Sequence, residues 1–150
     1  MDKDAITLAC EALQEQLKQI ATANGYHTDS GQNTISEFAG ILIDNNQQTP
    51  FIAIQPESTG QPQQATHKAK LDENLQLVVV VDATLGAAEQ LRRSLADLRK
   101  CLTHAPFVRP LEGKAKEITL GQSTYDITDD SRYALAVLPV TLTIIENYEA

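Results

Sequence analysis

The segment Leu75-Gln76-Leu77-Val78-Val79-Val80-Val81 limits the folds open to this chain more than any other. It sits inside a stretch from Lys68 to Asp82, and all of it but Gln76 is apolar. Consecutive β-branched residues in such a run predict a strand. A strand without polar alternation must be covered on both faces, which places it in the middle of a sheet.

Two other segments repeat with a different period. Ile6, Cys10, Leu13, Leu17 and Ile20 recur at helical spacing and predict a helix from about Asp4 to Thr22. Asp2 and Asp4 suit the positive end of its dipole, and Asn24-Gly25 is a stop signal. Leu91, Leu95, Leu98 and Leu102 give a second stripe, with Thr84 expected as its cap and His104-Ala105-Pro106 as its end.

Between the helices the pattern is extended. Tyr26-His27-Thr28 is short and β-prone, and Asp29 to Asn33 reads as a turn. Thr34 to Ile43 reads as a strand interrupted by Gly40, and Pro50 opens a strand through Ile54. Residues 55–67 carry prolines and glutamines without apolar periodicity, and are expected to form a long flexible loop. Two strands close the chain, Ile118 to Tyr125 and Tyr133 to Ile145, joined by the acidic turn Asp126 to Asp130. Pro139 predicts that the last strand lies at an edge or beside a bulge.

No strand alternates with helices in a βαβ series. The expected fold is therefore α+β, a mostly antiparallel sheet with two helices packed on one face, in a single domain over residues 1–150. At this length about 70% of the unfolded surface can be buried, so a core forms without staples. Cys10 and Cys101 lie on the helical stripes and read as small buried hydrophobes. The N-terminus lacks the apolar run of a leader peptide, and no window has the length of a membrane span, so folding in a cytoplasm is expected.

The net charge is −8, which argues against specific nucleic-acid recognition. Its distribution is uneven. Residues 1–60 carry eight acids and two bases, residues 61–116 six acids and nine bases, and residues 117–150 six acids and one base. A basic middle between acidic ends is either a solvated mixture or a source of complementary faces for head-to-tail association.

Reactive constellations are scarce. No glycine-rich phosphate loop follows a strand. His27, His67 and His104 are far apart, and His27 with Asp29 lacks further ligands at zinc-like spacing. Cys101 near His104 is on the buried stripe, where a thiol stays protonated. Asp126, Asp129 and Asp130 lack the spacing of a calcium loop. No catalytic, cofactor-binding or metal site is expected, and the chain reads as a protein that is not an enzyme.

Surfaces are left to carry function. Arg92, Arg93, Arg99 and Lys100 form a basic strip beside an apolar stripe. With Lys68, Lys70, Asp126, Asp129 and Asp130 they are the candidate interface residues; the other reading for each is a solvated surface.

The layout resembles the tail-terminator proteins of long-tailed bacteriophages, the minor tail protein U group and its prophage relatives. The likeness rests on the helix Ala5 to Thr22 leading into Gly25 to Gly31, the strand Pro50 to Ile54, and Leu75 to Asp82 running into the helix Ala87 to Leu102. It continues through Ile118 to Ile127 and Tyr133 to Tyr148, while the Gln/Pro stretch 55–67 departs from the pattern. The resemblance implies a structural protein of the virion tail, a hexameric ring of copies of itself that caps the tail tube and ends its elongation. It also implies contacts with the tail tube protein and the head-completion or connector protein, and no cofactor. The alternative is a small cytoplasmic adaptor or chaperone-like module that binds other proteins.

Overall fold

The computed structural model describes residues 3–104 and 110–148. Asp2 and the Ala105-Pro106 helix stop lie outside the described residues. In chain order the elements are α1 (Ala5–Leu17), β1 (Thr34–Ile35), α2 (Ala39–Asp44), β2 (Phe51–Thr59), β3 (Gln63–Ala65), β4 (Lys68–Asp82), α3 (Ala87–Thr103), β5 (Glu117–Leu120), β6 (Thr124–Ile127) and β7 (Tyr133–Asn147). The fold is α+β. The strand order is β1-β2-β4-β7-β5, with β3 beside β4 and β6 beside β7, and every pair is antiparallel except β1 with β2.

Long β4 and β7 form the spine. They pair along their full length, from Lys68 opposite Asn147 to Asp82 opposite Tyr133. Because side chains alternate along a strand, this register sends Leu71, Leu75, Leu77, Val79 and Val81 to the same face as Ala136, Leu138, Val140, Leu142 and Ile144. The stripes of α1 (Ala9, Leu13, Leu17) and α3 (Leu91, Leu95, Leu98, Cys101) close onto that face to make the main core. Asp4 caps α1, accepting the Thr7 N–H at 3.1 Å.

The opposite face is divided. At one end Phe51, Ala53, Val78, Val80 and Tyr133 pack with Ala39 under α2. At the other end Lys68, Lys70, Asp72 and Asn74 lie opposite Asn147, Ile145, Thr143 and Thr141 on a polar surface. There Thr141 Oγ1 donates to Asn74 Oδ1 at 2.8 Å, and Thr143 Oγ1 to Asp72 Oδ1 at 2.9 Å.

Several elements differ from the sequence reading. Thr34 to Ile43 is not a continuous strand: only Thr34–Ile35 pairs, and Ala39–Asp44 is a helix. Residues 55–67 are largely strand. β2 continues through Thr59, and β3 folds back on β4 with Ala65 opposite Lys68. His67, at φ 60°, turns that hairpin, and its carbonyl accepts the Tyr148 N–H. The exposed side chains of β3 left no apolar signal, so backbone pairing alone makes the strand.

α1 ends at Leu17 rather than Thr22, and Tyr26 to Thr28 pairs with no strand. The cap of α3 is Gly86, at φ 93°, rather than Thr84, whose carbonyl instead accepts the Ala87 N–H at 3.0 Å. Asp126 belongs to β6 and not to a turn. β7 is not an edge strand. Pro139 pairs with Gln76 on one side, and on the other faces the break between β5 and β6, where its carbonyl accepts the Gly121 N–H at 2.8 Å. Its missing N–H falls at that break, where no ladder bond is required.

Candidate functional site

The buried polar groups of α3 are committed to structure. Asp97 is 1% exposed, and its carboxylate accepts the N–H groups of His27 at 2.9 Å and Thr28 at 2.8 Å, and the Thr28 hydroxyl at 2.7 Å. Ser94 and Ser30 share a hydroxyl bond of 2.7 Å one turn away. Lys100 Nζ donates to the Gly25 carbonyl at 2.8 Å and lies 4.8 Å from the centre of the Tyr26 ring. Asp97, Ser94 and Lys100 therefore latch the segment after α1 onto α3. His27 engages this latch through its backbone, and Asp29 Oδ1 accepts the Thr22 N–H at 2.7 Å, so the two do not form a pair.

Of the two thiols expected to be buried, Cys101 is, while Cys10 is only half-buried. Cys101 is buried and contacts the Gln16 carbonyl at 3.3 Å; burial pushes its pKa up. Burial, with the charges of Glu73 and Asp4, pushes the Cys10 thiol up to about 11. Both are protonated at neutral pH. His104 Nδ1 shares a bond with the Thr103 hydroxyl. Among the described residues no three His, Cys, Asp or Glu side chains gather in a way that could hold a metal ion.

The candidate interface residues do not form one surface. Arg92, Arg93 and Arg99 are exposed on α3, and Arg93 pairs with Glu89 at 3.2 Å. Lys100 is engaged by its own chain. Lys68 and Lys70 stand on the polar end of the opposite sheet face. Asp130 closes the β6–β7 turn by accepting the Thr128 hydroxyl at 2.7 Å and the Arg132 N–H at 3.1 Å, which lowers its pKa. Asp129 beside it is exposed, and Asp126 accepts the Ile127 N–H.

Two apolar features were missed in the sequence. The first is an open groove of about 690 Å3 between the start of α3 and β6. Its floor is Ala87, Leu91 and Ala134, its walls are Tyr125, Ile127 and Leu85, and Arg92 and Asp126 stand among its lining residues. Leu85 is fully exposed, and Tyr125 and Ile127 are more than half exposed. The left-handed Gly86 turns the chain into α3 directly after Leu85. The second feature is α2, whose Phe38 N-cap and Ile41 are 46% and 48% exposed while Ala39, Leu42 and Ile43 pack inward. The signal for α2 was the spacing of Ala39, Leu42 and Ile43, one helical face inside a run that also fits a strand.

No protein-family model matches this chain, and no curated protein matches it. Among solved structures, it is similar to a chain of the virion of a native gene transfer agent particle. The TM-score is 0.62 at 14% identity, covering 93% of this chain and 98% of that one. At that identity the likeness is one of fold.

Proposed function

We propose that this chain is a structural protein of a phage or prophage particle. In this reading it caps the tail tube as a ring of its own copies, ends elongation and offers the surface that joins the head. The observation that carries the proposal is the match of fold over nearly the whole of both chains with a component of an assembled virion. The groove walled by Leu85, Tyr125 and Ile127 also supports it, because a contiguous apolar patch on a folded surface marks an interaction site. The reading assigns no catalysis and no cofactor. Its partners are copies of itself, six in a closed ring, the tail tube protein and the head-completion protein. The chain folds in the host cytoplasm and ends in the virion tail. The net charge of −8 suits a ring threaded by DNA, since acids on the lumen repel phosphate and let the duplex slide.

Purified particles test this. Mass spectrometry should find the chain at a few copies per tail, and electron microscopy should find a ring at the head-proximal tube end. Deleting its gene should give tails of uncontrolled length without heads. Normal, head-joined tails in the deletion strain would rule the proposal out, and recovery of the chain with a non-virion client would favour an adaptor.

A further inference from the structure

The groove and the α2 pair lie in different parts of the fold. β6 borders the groove on the β7 side of the sheet, while α2 covers β2 near the β1 edge on the face opposite α1 and α3. Within one molecule they do not meet, although each exposes apolar side chains that their own fold leaves uncovered. We propose that they meet between molecules: Phe38 and Ile41 of one copy seat in the Leu85–Tyr125–Ile127 groove of the next. The inference rests on the ring reading above and deepens it, naming the surfaces through which neighbouring copies touch.

Charge argues for a second copy as the occupant. The exposed pair is flanked by Glu37 and Asp44, with no Lys, Arg or His between Thr34 and Ile54. The groove carries Arg92, which makes no ion pair among the described residues. Asp126 also lines the groove and keeps its charge while accepting the Ile127 N–H, so the contact sets Arg92, and not Asp126, against the acids of α2. Acid-flanked apolar residues therefore face an apolar groove with a free cation, which favours the contact and sets its orientation. Two α2 helices facing each other would instead oppose Glu37 and Asp44 to their own copies. A contact between unlike surfaces is heterologous, and when its rotation closes it makes a ring.

Leu85 is fully exposed and suits a reporter that does not disturb the fold. A photoreactive benzoylphenylalanine at position 85, irradiated in the concentrated full-length protein, should yield a cross-linked dimer with adducts on residues 37–44. Asp44→Arg should reduce that yield about tenfold, and Arg92→Asp in the Asp44→Arg background should restore it. Arg99→Glu, on α3 but outside the groove, should leave it unchanged. Adducts elsewhere, no dimer at any concentration, or capture of a different protein alone would overturn the contact. The two readings fail separately. Rings on tail tubes that lack the adduct retain the cap and reject this contact. Adducts in open chains that never seat on a tube retain the contact and reject the cap.

Discussion

The two faces of the sheet are built from the same strands and serve different ends. On the α1–α3 face, β4 and β7 present an apolar surface from Leu71 to Val81 and from Ala134 to Ile144, interrupted by the buried Glu73 and closed by two helical stripes. On the other face the same strands turn from Val78 and Val80 under α2 to Lys68, Lys70, Asp72 and Asn74 within a few residues. Register explains the difference: alternate residues answer to separate neighbours, so one strand can be apolar on one side throughout and on the other only where a helix covers it. The first face holds the fold together. Each face also leaves apolar side chains uncovered, Leu85, Tyr125 and Ile127 at the β6 border of the first and Phe38 and Ile41 on the second.

The fold is most sensitive at Gly31. A Cβ there would lie 1.9 Å from the Leu17 carbonyl oxygen and 2.8 Å from Ile20 Cβ, where the latched segment presses on the end of α1. Gly31→Ala should therefore cost more than about 4 kcal/mol, and thermal unfolding would show the chain largely unfolded. Next comes Asp97→Ala, which orphans the His27 and Thr28 amides. A loss of about 3 kcal/mol is expected in chemical denaturation, with Asp97→Asn milder. Leu95→Ala on the first face should cost about 3 kcal/mol as a fully buried truncation. Leu42→Ala on the inner side of α2, half-buried, should cost about 1 kcal/mol. Equal losses for the last two would erase the distinction between the faces. The smallest effect belongs to the polar end: Lys68→Glu with Lys70→Glu should shift stability by less than about 0.5 kcal/mol.

Much of the first face was legible in the sequence. The stripes of α1 and α3 and the run Leu75 to Val81 each repeat with a period that one structure satisfies. The run also announced cover on its second face, but not by what. That cover is α2, six residues whose apolar run fits two periods, and only the packing on Phe51 and Val80 decides for the helix. Strand β3 is wholly exposed and gained its state from backbone pairing with β4, which composition does not record. Pro139 signalled an interruption, and the interruption lies in its neighbour, between β5 and β6.

The candidate surface was less legible for a related reason. The basic residues 68–100 form a block in sequence, yet β4 and α3 carry them to opposite faces, and Lys100 is engaged by Gly25 and Tyr26. The groove joins residues 84–92 to 125–134, a proximity created by β6 pairing with β7. Neither Leu85 nor Tyr125 stands out from its own neighbours in the chain.

Sedimentation velocity with tail tubes present or absent, over a wide concentration range, addresses self-assembly most directly. One closed species is expected, whose mass is a fixed multiple of the 16.4 kDa chain and does not grow once formed, and Leu85→Glu should abolish it. A chain that stays monomeric under all these conditions, or whose mass rises without limit, would contradict that expectation.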